Sequence, residues 1–133
     1  MTALQNQISN WIADYANTYN ISSLVIGISG GIDSAVTSTL CAMTGIKTKL
    51  LIMPIYQNIK ETNRGVNHCS FLEKKFNNIE IINADLTDVY KTIQSKIPSL
   101  YHNPLSLANT RARVRMTVLY AIAGGSNGLV VGT

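Results

Sequence analysis

The sequence predicts an α/β fold built on a doubly wound parallel sheet, and three observations predict it. Short apolar runs rich in Leu, Ile and Val recur at 24–26, 49–53, 79–82 and 129–131. Between them lie segments whose apolar residues return every three to four positions, the spacing of one helix face. The first run passes directly into Gly27-Ile28-Ser29-Gly30-Gly31-Ile32-Asp33-Ser34, a strand-to-helix turn of glycines and small hydroxyl residues. Strands alternating with helices require right-handed crossovers, hence parallel strands covered on both faces.

In chain order, Thr2 can cap a first helix that carries Leu4, Ile8, Trp11, Ile12, Tyr15 and Ala16 on one face and ends near 17–20. Leu24-Val25-Ile26 is the first strand, and Ala35 to Met43 reads as a helix closed by Gly45. Lys49 to Met53 is a second buried strand stopped by Pro54, with 55–60 as the loop leaving its C-terminal end. Glu61 to Phe76 holds Val66, Cys69, Phe71, Leu72 and Phe76 among charged residues, an imperfect helical stripe, and Ile79 to Ile82 is a third strand. Asp85 or Thr87 starts a helix bearing Leu86, Val89, Tyr90, Ile93 and Ile97, which Pro98 ends. An irregular connection over 99–104 precedes a long helix over 105–123. Gly124-Gly125-Ser126-Asn127-Gly128 breaks that helix, and Leu129-Val130-Val131 is the fourth strand with Gly132-Thr133 at its end, where ligands gather in open parallel sheets.

At 133 residues the chain is expected to form a single domain, with no repeat, low-complexity tract or linker. Hydrophobic residues make up 46% and charged ones 14%, so much of the surface must be neutral or covered, and a partner surface is expected. The formal charge of +4 favours anionic ligands without demanding nucleic acid. Arg111, Arg113 and Arg115 concentrate that charge, and nucleotide phosphates would satisfy it. Residues 1–20 have no basic start and no continuous apolar core, so neither a signal peptide nor a membrane span is expected there. Cys41 and Cys69 lack the number and spacing of a disulfide or zinc framework, so a reducing, cytoplasmic setting is expected. The adjacent His68 and Cys69 without further ligands read as a helix surface and core pair.

A glycine-rich turn at a helix N-terminus suits a phosphate, because the backbone can approach closely and its N–H groups point inward. Three motifs compete for it. A Walker loop needs Gly-Lys-Ser/Thr, yet no lysine occurs before residue 45. A dinucleotide fingerprint needs Gly-x-Gly-x-x-Gly, whereas the glycines here stand at 27, 30 and 31. Gly27 to Gly31 does satisfy the Gly-x-Ser-x-Gly nucleophile elbow, with Ser29 followed by Asp85 and His102 in the required order. Hydrolases of that kind are about twice as long.

The segment Ser29-Gly30-Gly31-Ile32-Asp33-Ser34 resembles the Ser-Gly-Gly-x-Asp-Ser signature of the N-type ATP pyrophosphatases, which split ATP between the α and β phosphates. Ala108-Asn109-Thr110-Arg111-Ala112-Arg113-Val114-Arg115-Met116, then Tyr120-Ala121-Ile122-Ala123 and Leu129-Val130-Val131-Gly132-Thr133, resemble the ammonia-dependent NAD synthetases in particular. The resemblance covers nearly the whole chain but only about the first half of such a synthetase, so the domain is expected to be truncated.

What the resemblance implies is a Rossmann-like fold of the adenine nucleotide alpha hydrolase kind and the ATP-dependent amidation of deamido-NAD by ammonia, giving NAD, AMP and pyrophosphate through an adenylated intermediate. It places Gly27, Ile28, Ser29, Gly30, Gly31, Ile32, Asp33, Ser34 and Thr133 on ATP, Asp33 on Mg²⁺ and Arg113 on deamido-NAD. Helical spacing adds Asn109, which shares a stripe with Arg113, Thr117 and Tyr120, while Arg111 and Arg115 face away and read as a solvated or intersubunit face. Met53 and Gln57 fall where the family has adenosine contacts. A homodimer is also implied, and the apolar Val114, Val118, Leu119 and Ile122 fit one. The alternatives are a pyrophosphatase of the same family with a different acceptor, or a fragment that binds nucleotide without turnover.

Overall fold

The computed structural model describes residues 2–133. Four strands form one parallel sheet in the order β3-β2-β1-β4, with β1 at Ser23–Ile28, β2 at Lys47–Ile52, β3 at Ile79–Asn83 and β4 at Gly128–Val130. The connections run from β1 outward to β3, then return to place β4 on the other side of β1. That reversal makes the C-terminal end of β1 the switch point, where an open sheet leaves a crevice. Among the described residues no helix is long and apolar enough to cross a membrane.

Alternation along the strands assigns the two cores. Leu24, Ile26 and Ile28 of β1 and Leu50 and Ile52 of β2 pack under α1 (Thr2–Thr18), α2 (Ile32–Ala42) and α3 (Ile59–Lys75), where Ile12, Ala16, Cys41, Ala42, Cys69 and Leu72 are buried. Val25 and Leu51 face the opposite side, where α4 (Thr87–Lys96) supplies Tyr90 and α5 (Pro104–Gly125) supplies Val114, Leu119 and Ala123. Both faces are covered, as a doubly wound sheet requires. The central strands therefore read as continuous apolar runs rather than alternating ones.

Most boundaries lie within a residue or two of expectation, with local reasons for the differences. The Asn58 side chain accepts the Lys60 N–H at 2.8 Å and starts α3 two residues early. Asn103 accepts from Ser106 at 2.9 Å and Pro104 occupies the first turn, so α5 begins at Pro104. The same helix runs through Gly124 and Gly125 and stops at Ser126, whose hydroxyl donates to the Ile122 carbonyl at 2.7 Å. Gly45 has φ +77° and closes the turn after α2, as its position suggests.

The first helix departs further. Of its expected stripe only Ile12 and Ala16 are buried, joined by Ser9, whose hydroxyl donates to Leu40 O at 3.1 Å. Because α1 packs chiefly on α2 and only Ile12 and Ala16 reach the core over the sheet, its contact is narrow, and Leu4, Ile8, Trp11 and Tyr15 stay exposed, Trp11 at 65%. The Trp11, Tyr15 and Tyr19 rings follow one another along that outer surface as tilted pairs at centroid distances of 5.7 and 4.7 Å. The capping role of the Thr2 side chain lies outside the described residues.

Candidate functional site

The loop after β1 is held from inside by two serines. The Ser29 N–H donates to Ser34 Oγ at 3.1 Å, the two hydroxyls lie 3.1 Å apart, Gly31 N–H donates to Ser29 Oγ at 3.1 Å, and the Ser34 hydroxyl lies 3.2 Å from the Gly31 carbonyl that it can donate to. Gly30 makes the bend at φ +86°, a left-handed conformation that costs a side chain dearly. Gly31 then caps α2 without any side-chain bond. The first-turn N–H groups of a helix have no intrahelical acceptor, so these face outward at the dipole's positive end and suit an anion.

From outside, α3 and the loop before it brace this turn. Gln57 Nε2 donates to Ser29 O at 2.8 Å and Arg64 Nε donates to Gly30 O at 3.2 Å. Gly65 lets α3 come so near that a Cβ there would lie 3.2 Å from Ile28 Cγ2 and 3.6 Å from the Gly30 nitrogen. The Glu61 carbonyl sits directly against Gly30. Loop carbonyls are thus tied back by protein donors and the Ser29 and Gly31 amides by serine hydroxyls, which leaves the first-turn amides of α2, without an intrahelical acceptor, as the groups open to a ligand. Sequence reasoning missed Glu61, Arg64 and Gly65. The available signal was Gly65 itself, since a glycine inside a helix costs about 1 kcal/mol against alanine and calls for a packing reason.

Two clefts open on either side of the turn. One, of about 410 Å³, lies at the strand ends between the loop and α5, lined by Gly27, Ile28, Ser29, Met53, Ile55, Gln57, Glu61, Ala112, Arg115, Met116 and Leu119. The other, of about 560 Å³, lies between α2 and α3 and includes Gly30, Gly31, Ile32, Ser34, Arg64 and His68. The predicted residues of the turn divide between them, with Ile28 in both and Asp33 in neither. Asp33 is exposed in the first turn of α2, and the ion pairs among the described residues, both made by Glu80, do not involve it. Thr133 lies three positions past Val130, the last residue of β4 and the partner of Val25, beyond the C-terminal end of that strand.

The arginines sort otherwise than helical spacing suggested. Asn109, Arg113, Thr117 and Tyr120 do share a stripe, but all four are exposed and none lines either cleft. Arg111 and Arg115 turn inward instead of forming a solvated face. Arg115 Nε donates to Met53 O at 2.9 Å, and Arg111 Nη1 donates to the Tyr90 hydroxyl at 3.2 Å with its guanidinium 5.3 Å from that ring's centre. The reason is the face α5 presents: Val114 and Leu119 enter the core, Val118 and Ile122 pack against it, and Arg111, one turn before Val114, and Arg115, one turn before Leu119, follow. Val114 and Leu119 are thus buried inside the chain, and Val118 and Ile122 are half-buried against the same core.

His68 and Cys69 behave as a surface and core pair. Cys69 is fully buried, and burial pushes its thiol up to about 11. His68 Nε2 lies 2.9 Å from Ser38 Oγ, and the Ser38 hydroxyl also reaches the Ser34 carbonyl at 2.6 Å. Burial holds the His68 pKa below its ordinary value, outweighing a backbone hydrogen bond to Ala35. An unfolded chain then binds the extra proton first. The stability supplied by neutral His68 is present above about pH 6.5 and declines as pH falls through that value toward the lower folded pKa. Urea titrations at pH 7.5 and 5.5 should show a smaller acid loss for His68→Gln than for the parent; equal losses would assign the acid sensitivity elsewhere.

The nucleophile-elbow reading does not assemble. Ser29 is bonded within its own loop, Asp85 accepts the Thr87 N–H at 2.9 Å, and His102 Nε2 lies 2.8 Å from Ile97 O, with no hydrogen bond joining the three. As for metal, no group of three or more His, Cys, Asp or Glu among the described residues could hold an ion unaided. One exposed carboxylate beside a phosphate-shaped loop does fit Mg²⁺, which is commonly held by one or two carboxylates together with substrate phosphates and water.

Comparison with known proteins bears on this geometry. The family model described as NAD synthase matches residues 4–133. The chain is 35% identical over 138 residues to the NH(3)-dependent NAD(+) synthetase of Methanocaldococcus jannaschii, covering 100% of this chain and 51% of the relative. It is 37% identical over 132 residues to that of Saccharolobus solfataricus, covering 98% and 46%. Among solved structures, NMN synthetase from Francisella tularensis superposes with a TM-score of 0.90 at 30% identity, covering 99% of this chain and 53% of that one. The NH3-dependent NAD synthetase from Campylobacter jejuni, in complex with the nitrate ion, gives 0.87 at 27% identity, covering 99% and 56%. The chain spans about half the length of the relatives it matches.

Proposed function

The chain belongs to the NAD synthase family, and from that premise we propose that it serves the ATP-dependent amidation of deamido-NAD by ammonia, yielding NAD, AMP and pyrophosphate. The observation that carries this reading is the strand-to-helix junction at Gly27 to Ser34: the Ser29, Gly30 and Gly31 carbonyls of its turn are tied back by Gln57, Arg64 and Ser34 while a helix start without a side-chain cap is left open. That arrangement recognises a polyphosphate. In this reading Gly27 to Ser34 and Thr133 bind ATP, Asp33 takes part in holding Mg²⁺, and Arg113 with Asn109 binds the dinucleotide.

Each chain group has a physical task. The nicotinate carboxylate attacks the α phosphorus, pyrophosphate leaves, and ammonia then displaces AMP from the adenylate. Catalysis of such steps is chiefly positioning and charge neutralisation. Preorganised amides of the loop receive the charge that develops on the leaving pyrophosphate. Ser29 and Ser34 fix the loop so that little reorganisation is needed. Apolar Met53, Ile55, Met116 and Leu119 in the strand-end cleft offer a dry wall to a nucleotide. Mg²⁺, when bound, supplies charge neutralisation on the phosphate oxygens.

The test mixes the 133-residue chain with ATP, Mg²⁺, deamido-NAD and ammonium and follows NAD, AMP and pyrophosphate by chromatography. Formation of all three is expected. ATP binding without turnover would favour a nucleotide-binding fragment, AMP release only with other acceptors would favour another pyrophosphatase of this kind, and no ATP binding would overturn the reading. The superposition on an NMN synthetase favours one second reading, a mononucleotide acceptor bearing the same nicotinate carboxylate. Offering both acceptors at equal concentration separates them.

Residues 1–133 are proposed as a single nucleotide-binding unit acting within a homodimer in the cytoplasm. Exposed Leu105, Met116 and Tyr120 on α5 support a partner surface, and two buried cysteines without a disulfide suit a reducing compartment.

A further inference from the structure

We propose that Arg115 is a substrate-binding residue of this site, its guanidinium holding phosphate oxygens of bound ATP; the inference rests on the ATP reading above. Arg115 is half-buried in the wall of the strand-end cleft, which also contains Ser29 of the loop. Its Nε is spent on the Met53 carbonyl, and no other protein acceptor among the described residues takes its N–H groups. Neither ion pair among the described residues reaches it, since both are made by Glu80. Glu61 lines the same cleft, but its carboxylate lies 3.4 Å from Gln57 Nε2 and forms no ion pair with Arg115.

A half-buried cation without a counter-charge is costly, and this one stands beside a second cation. Burial first, then the charge of Arg111, presses the Arg115 guanidinium below its ordinary pKa. Arg111 gets its compensation from the Tyr90 ring and hydroxyl; Arg115 has only a neutral carbonyl. The Nε bond fixes the plane of the guanidinium and leaves its outer fork free, the geometry that binds phosphate through two parallel hydrogen bonds. With Gly27, Ile28 and Ser29 in the same cleft, the anion that completes the site is the phosphate chain of the nucleotide seated on the loop.

Calorimetric titration of the chain with ATP and with adenosine tests this. Arg115→Met keeps the length of the side chain and removes its charge, and it should weaken ATP about tenfold while leaving adenosine unchanged. Arg115→Lys should recover part of the ATP affinity as a point charge. Circular dichroism checks that both variants fold. Unchanged ATP affinity in Arg115→Met, with the parent chain binding ATP normally, overturns this inference alone. An equal fall for adenosine also overturns it, by reducing Arg115 to a prop for Met53. A parent chain that binds no ATP removes the nucleotide reading and the inference together.

Discussion

Gly30→Ala should abolish tight ATP binding and lower stability by about 2–4 kcal/mol, the sum of a left-handed backbone penalty and a forced displacement. The position has φ +86°, and a Cβ built there runs into the backbone carbonyl of Glu61. Backbone cannot swing aside as a flexible side chain can. Either the loop lifts off α3, losing the Arg64 bond to Gly30 O, or α3 shifts and loosens Gly65 from Ile28. Both outcomes disorganise the amides proposed to take a phosphate. Gly124→Ala is the control: it lies in the last turn of α5 with nothing within 4 Å, so it should leave binding intact and stability equal or higher. Urea denaturation and ATP titration of the two variants decide it, and parent-like behaviour of Gly30→Ala would mean that the loop is not held as described.

Asp33→Asn carries the second large effect. The side chain is exposed at the start of α2 and makes no ion pair, so the fold should tolerate the amide with little change. Its expected work is on the metal-bearing nucleotide. Loss of one carboxylate ligand typically weakens a bound cation, and NAD formation should fall about 100-fold with saturating substrates. The more telling reading is ATP affinity measured with and without Mg²⁺. The parent should bind ATP more tightly with the metal, whereas Asp33→Asn should show the same affinity in both. A variant that keeps its full Mg²⁺ dependence would remove Asp33 from the metal site.

The parts of this molecule that could be read from sequence are those whose cause is local. The β1 turn announced itself because glycine spacing, small hydroxyls and a flanking apolar run all act within a dozen residues. The strand runs and helix faces followed from periodicity, and Gly45 and Pro98 marked ends through backbone chemistry alone. Asn109 and Arg113 could be placed on one stripe of α5 from the helical repeat. Which way that stripe points could not, because a helix with apolar residues on several sides does not say which side meets the sheet.

The amino-acid sequence by itself determined the α/β class, the family and the position of the glycine-rich loop proposed to take phosphate, since each is a short-range pattern written in consecutive residues. Only the tertiary structure decided the order β3-β2-β1-β4, and with it the crevice beside β1. It also decided that α1 rests on α2 with its aromatic ladder outward, and that Glu61, Arg64 and Gly65 of α3 brace a loop some thirty residues earlier. Arg115 changed most, from a surface charge to the unpaired cation of a cleft, because burial of Val114 and Leu119 turns the arginine inward. Contacts between distant segments depend on how surfaces fit after the chain has folded back on itself, and no local pattern encodes that fit.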